Sequence, residues 1–187
     1  MTNLIRLLSV TVLLAGSCVA CAAEQPTNVF ITLGTAGGPL TEVNRSQPAN
    51  ALLVGDDLYM VDAGDGAAGQ LIKAGFRIPQ VKGLFLSHLH FDHTGGVMAL
   101  LGLRMQLNAP QTLSIYGPPG TKGLIDGLLT GMDPIMKAAY GMPGAGWDAR
   151  VEVVELVDDS MLELDGLTVK VAENSHFKIP EDSGLPE

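Results

Sequence analysis

The sequence predicts an α/β fold, and three observations carry that expectation. Apolar runs of strand length recur along the chain, at 29–33, 51–54, 59–61, 84–87, 112–116, 151–156, 161–164 and 167–172. Helical patterns at 67–74, 97–107 and 120–129 fall between several of them. Glycine is abundant, 23 of 187 residues, which suits the many connections that such alternation needs.

Taken in order, the elements have local reasons. Gly55-Asp56-Asp57 predicts a hairpin turn between the second and third strands. The helix at 67–74 is followed by Gly75, a residue suited to the position just past a helix end. Residues 81–87 (Val-Lys-Gly-Leu-Phe-Leu-Ser) form a short apolar run of the kind that buries both faces of a strand. The helix at 97–107 is apolar at Val97, Leu100, Leu101 and Leu103. A Met-, Gly- and Pro-rich insertion spans 132–147; Met132, Met136 and Tyr140 at i, i+4 spacing predict packing on the sheet. The other reading has Met132, Met136, Tyr140, Met142 and Trp147 lining a substrate entrance. Asp165-Gly166 is the strongest hairpin signal in the chain.

Length predicts one domain with a sizeable core, and 47% hydrophobic against 17% charged residues exclude a disordered chain. Residues 1–23 predict a secretory signal peptide. Arg6 supplies the positive end, 7–15 the short apolar stretch, and Ala20-x-Ala22 or Cys21-x-Ala23 the cleavage site. Cys18 and Cys21, the only cysteines, lie inside it, so the mature chain 24–187 would hold no disulfide; acylation of either cysteine is the minor alternative. The expected location is periplasmic or secreted.

The chemistry concentrates at Ser87-His88-Leu89-His90-Phe91-Asp92-His93-Thr94-Gly95-Gly96. Three of the four histidines lie here in an H-x-H-x-D-H pattern, and the fourth is His176. If the strand continues past Ser87, His88 and His90 project from one side by alternation, while Asp92 and His93 fall where Thr94-Gly95-Gly96 turns the chain. Imidazole and carboxylate together suit zinc, and also iron or manganese.

This pattern resembles that of the metallo-β-lactamase-fold hydrolases, and the likeness runs from Asn28 to His176. Leu33-Gly34-Thr35-Ala36-Gly37-Gly38-Pro39 is similar to the glycine-rich first turn of the ribonuclease Z and arylsulfatase-like branch. Val61-Asp62-Ala63-Gly64-Asp65-Gly66 resembles that branch's D-x-G-x-G strand end, and Ile115-Tyr116-Gly117-Pro118-Pro119-Gly120 the strand and turn after the motif. Glu173-Asn174-Ser175-His176 falls where the next metal-binding histidine is expected.

The resemblance implies a four-layer αββα sandwich and a hydrolase in which two zinc ions acidify a shared water. His88, His90 and His176 would hold the first metal; Asp92 and His93 would contribute to the second, with Asp92 also orienting the water as the catalytic residue. Asp62 would steady the ligand loop by hydrogen bonding, or be a simple strand-end aspartate. The family also implies a bridging aspartate and a last histidine from a second α/β half. Neither falls in this sequence, so the expected unit is the N-terminal half of the sandwich, a fragment incomplete at its C-terminus. One sheet face would then be uncovered, favouring a homodimer.

Charge shapes the expected partner. The formal net charge is −9, and removing the leader with its single Arg6 leaves ten basic against twenty acidic residues, −10. An acidic surface and an export signal predict a small-molecule ester (a sulfate or phosphate ester, or a lactone), no nucleic acid, and no membrane contact once the leader is cleaved. The second class of function is a non-catalytic remnant that binds one metal or none.

Overall fold

Strands in sequence order build one six-stranded sheet, β1 (Asn28–Gly34), β2 (Ala49–Val54), β3 (Asp57–Ala63), β4 (Val81–Phe85), β5 (Leu113–Gly117) and β6 (Val151–Glu155). The computed structural model describes residues 28–38, 40–139, 150–174 and 176. The predicted signal peptide lies outside the described residues, as do Tyr140, Met142 and Trp147.

The first three strands are antiparallel, β2 and β3 joined by the predicted tight turn with Gly55 at φ 58°. From β3 onward the pairing is parallel, which requires a crossover between successive strands. Those crossovers carry α1 (Ala67–Lys73), then α2 (Phe91–Thr94) with α3 (Val97–Gln106), then α4 (Thr121–Ala139). The C-terminal ends of β3, β4 and β5 therefore open to the same side. In open α/β sheets that edge is where ligands bind.

One sheet face is dry. Leu58, Met60, Leu84, Leu113 and Ile115 pack there with Leu71 of α1, Leu100 and Leu101 of α3, and Ile125 and Met132 of α4. The other face carries an aromatic row across three strands, with Phe85 and Tyr116 register partners and Tyr59 opposite Gly83. Phe85 stacks on Tyr116 at 4.7 Å between centroids and lies 6.1 Å from Tyr59. A separate two-stranded sheet is the hairpin β7 (Met161–Leu164) and β8 (Leu167–Lys170), which turns at Asp165-Gly166 as predicted. Gly166 approaches Val54, and Lys82, bonded to Asp57 at 2.6 Å, lies 3.6 Å from Asp165. The described residues thus hold a helical layer on a six-stranded sheet and a separate two-stranded sheet, part of the arrangement that the αββα expectation requires.

Two elements differ from expectation. α4 runs through the start of the Met-rich insertion to Ala139 despite Pro134, which removes one internal hydrogen bond. Burial outweighs that loss: Met132 is 3% exposed in the core, while Lys122–Asp126 and Lys137–Asp133 pairs at 2.7 Å line the wet side. The packing role expected of Met132 is what the structure shows. The second difference is α2, a single helical turn where a plain turn was expected.

Arg104 of α3 fixes the helix to the sheet. The residue is 4% exposed, and its guanidinium donates to the carbonyls of Val81 at 2.8 Å and Gln111 at 2.8 Å, with Ile78 at 3.5 Å. Burial, and secondarily Arg150, holds it below the usual guanidinium range. Arg104→Ala leaves buried carbonyls without donors and should cost about 2–4 kcal/mol in urea unfolding. A loss below roughly 0.5 kcal/mol, the range of ordinary surface changes, would contradict this role.

Candidate metal centre

The site is assembled at the ends of β3 and β4. Strand β4 stops at Phe85, so His88 and His90 lie beyond it in irregular chain, and strand alternation is not what aligns them. The chain bends at Ser87 instead. There the Ser87 N–H donates to Asp62 Oδ1 at 2.8 Å and the hydroxyl lies 2.9 Å from Asp62 Oδ2. Asp62 reaches across from the end of β3 because its backbone adopts φ 61°, the left-handed region that aspartate tolerates better than most residues.

After this bend, His90 caps α2 in extended conformation and accepts bonds from His93 N at 3.0 Å and Thr94 Oγ1 at 3.1 Å. Besides the side-chain contact of His93 with Asp62, backbone presses the turn of helix against β3. Gly96 N donates to Ala63 O at 2.8 Å, and a Cβ on Gly96 would lie 2.3 Å from Gly64 O. A Cβ on Gly64 would lie 2.0 Å from the carbonyl oxygen of Asp92. Two glycines therefore let the ligand-bearing turn sit directly on the strand end, a closeness no side chain permits.

His176 arrives from the other sheet. The chain leaves β8, Glu173 N is tied to Asp158 Oδ1 at 2.8 Å, and His176 N bonds Asn174 Oδ1 at 2.8 Å. All four imidazoles then meet. Centroids of His88 and His90 are 4.8 Å apart, and His176 lies 5.3 Å from the first and 5.2 Å from the second. His88 and His93 are 3.8 Å apart, and His93 Nε2 is 3.6 Å from Asp92 Oδ2.

Two ligand groups result, His88 with His90 and His176, and His88 with Asp92 and His93; within each the candidate atoms lie within 4.8 Å of one another. His88 belongs to both. The resemblance implied His88 for the first metal alone, and its place beside the second group comes from the structure. The donor set of imidazole nitrogen and carboxylate oxygen fits a divalent ion of the zinc, iron or manganese kind. Burial, then the neighbouring His93 and His90, holds His88 below the usual imidazole range, with Asp62 acting in the opposite sense. A neutral imidazole is the form that ligates.

Asp62 is 5% exposed and also bonds His93 Nδ1 at 2.8 Å. It is therefore more than a strand-end aspartate: it holds the ligand loop, as the resemblance implied. Sequence reasoning missed Ser87, whose hydroxyl touches both Asp62 and His88 Nδ1, each at 2.9 Å. Its position directly before the first histidine was the available signal.

Residues 45–105 match the Metallo-beta-lactamase superfamily. The chain is 31% identical over 161 residues to ribonuclease Z of Mycobacterium sp. (strain KMS), covering 84% of this chain and 56% of that protein. The chain carries part of a metallo-β-lactamase domain. Ribonuclease Z of Picrophilus torridus is also 31% identical, over 146 residues, 78% of this chain and 43% of that one. Among solved structures, human tRNase Z, short form, aligns with TM-score 0.50 and 29% identity over 58% of this chain and 40% of that chain. A metallo-β-lactamase-fold protein from Bacillus subtilis gives TM-score 0.54 at 19% identity, over 74% and 49%, and shows the fold. The chain spans about half the length of the curated relatives described here.

These relatives overturn one expectation. Nucleic acid was excluded as a partner in favour of a small molecule, yet the matched homologues are ribonucleases and a tRNase. Net charge is a sum over the whole surface, whereas a polyanion is gripped through local contacts and bound cations, so −10 overall does not decide the matter. No helix among the described residues is long and apolar enough to cross a membrane.

The glycine contact yields a test. Gly64→Ala must push the Asp92 carbonyl, and with it α2, off the strand. Zinc affinity by chelator competition should fall at least about tenfold, the lower end of what disturbing a ligand's support costs. Unchanged affinity in a folded variant would refute the contact.

Proposed function

We propose that this protein is a metal-dependent hydrolase of phosphate esters, RNA phosphodiesters among them, and that residues 1–23 export it. The observation that carries the hydrolase reading is the pair of ligand groups joined through His88. The ribonuclease names of the relatives favour a phosphodiester over a sulfate ester or a lactone. Arg6, the apolar stretch 7–15 and the small residues at 20–23 support export.

His88, with its single free ring lone pair, would hold one ion with His90 and His176, and Asp92 and His93 would contribute to a second beside it. Bound ions of this kind supply Lewis acidity and lower the pKa of water to near neutrality. Asp92 would have two tasks. One carboxylate oxygen would ligate, and the other could accept a water proton and orient the nucleophile. His93 Nε2 lies 3.6 Å from Asp92 Oδ2, so that one ion between them would take both as ligands. Asp62 holds His93 from behind, so the acid, the imidazole and the strand end move as one body.

The test uses zinc-loaded protein with bis(4-nitrophenyl) phosphate, a 3′-extended tRNA, 4-nitrophenyl sulfate and a lactone. Turnover of a phosphodiester is expected, with His90→Ala slower by at least about 100-fold and depleted in zinc. Hydrolysis of the sulfate or lactone alone, no turnover of any phosphoester, or an active His90→Ala would each overturn the proposal. Export is checked separately by the N-terminus of protein recovered from the periplasm. Retention of Met1 there would contradict cleavage.

A further inference from the structure

The short contacts around Ser87 and Asp62 favour one placing of protons, and a longer one, 3.4 Å from Ser87 Oγ to His93 Nδ1, joins two groups that each already bond Asp62 Oδ2. A carboxylate accepts and never donates, and three donors converge on Asp62: Ser87 N–H at 2.8 Å, the Ser87 hydroxyl at 2.9 Å and His93 Nδ1 at 2.8 Å. A serine hydroxyl has one proton. If it points at Asp62 Oδ2, the lone pairs of Ser87 Oγ must receive the proton of His88 Nδ1, 2.9 Å away. The opposite choice, hydroxyl to His88, would leave two oxygens 2.9 Å apart with no proton between them, one of them anionic.

We propose that Ser87 and Asp62 are positioning residues that set the tautomers of His88 and His93, fixing the proton of each ring on Nδ1 and leaving both Nε2 lone pairs to a metal. The assignment rests on the reading that the cluster holds a metal. It adds a residue, Ser87, and a direction of hydrogen bonding that neither spacing nor ligand count contains. Because His88 serves both ligand groups, this one hydroxyl prepares the ligand they share. Tautomer matters because an Nε2–H presented to a cation must first be deprotonated or the ring turned over, and either step weakens binding.

The arrangement can be inverted with almost no change of shape. In Asp62→Asn the amide oxygen still accepts from Ser87 N–H, while the amide nitrogen donates to Ser87 Oγ and His93 Nδ1. Ser87 then donates to His88 Nδ1. Both rings are forced to carry their proton on Nε2, facing the metal. Ser87→Ala removes the hydroxyl and affects His88 alone, whereas Ser87→Thr keeps it.

The experiment reads two-bond nitrogen–proton couplings of the histidine rings in metal-free, full-chain protein at about pH 8, where imidazole is neutral, and then zinc affinity by chelator competition. Wild type and Ser87→Thr should show Nδ1–H at His88 and His93. Ser87→Ala should lose it at His88 only, and Asp62→Asn should move both protons to Nε2. Zinc affinity should fall roughly 10–100-fold in Ser87→Ala and Asp62→Asn and hold in Ser87→Thr. Nε2–H at His88 in wild type, or unchanged tautomers and affinity in Asp62→Asn, would overturn the inference. Should Ser87→Ala not fold, the comparison of Asp62→Asn with Ser87→Thr decides alone. The ring protons are read without metal or substrate, so an inactive enzyme with the expected tautomers would refute the proposed hydrolysis and leave this inference standing.

Discussion

Asp62 leaves β3 in a left-handed conformation, and that single turn sends a buried carboxylate across the sheet to the end of β4. A non-glycine residue held there costs on the order of 1 kcal/mol or more. The cost is offset by hydrogen bonds to the backbone and hydroxyl of Ser87 and to the ring of His93. Without that grip, nothing else among these bonds would bend the chain at Ser87, and His88 and His90 would continue outward from the strand. The strain at one backbone position and the convergence of the imidazoles are thus one feature.

The sheet supplies what Asp62 needs. β3 is buried on both faces, with Leu58 and Met60 in the helical layer and Tyr59 in the aromatic row, so its end is a rigid platform. Parallel pairing of β3, β4 and β5 places their C-terminal ends side by side. The glycine contacts at Gly64 and Gly96 then bring α2 onto the platform with no side chain between. The distances within the site are set by backbone packing, and the ligands inherit that precision.

Much of this was legible in the residues. Apolar runs and turn dipeptides located the strands to within a few residues, because burial of β-branched and aliphatic side chains is what makes them strands. The H-x-H-x-D-H pattern announced a site, and the resemblance supplied His176, which spacing alone could not connect to residues some eighty positions earlier. Other features depended on three-dimensional contact. Serine is too common a residue for Ser87 to stand out, and only its two 2.9 Å contacts reveal what it does. The extension of α4 past Pro134 reflects tertiary burial of Met132 overriding local propensity. Whole-chain charge misled about nucleic acid because it averages over a surface of which any binding site is a small part.

The central claim is that His88 stands where two ligand groups meet, so that its one lone pair can complete either of them. The direct measurement is a zinc binding isotherm for wild type, His88→Ala and His176→Ala, each checked for an intact fold by its amide spectrum. His176→Ala should lose one class of site and keep a weaker one on the His93 side, while His88→Ala should lose all tight binding. Equal losses in the two variants, or tight binding that survives His88→Ala, would contradict the shared ligand and the account built on it.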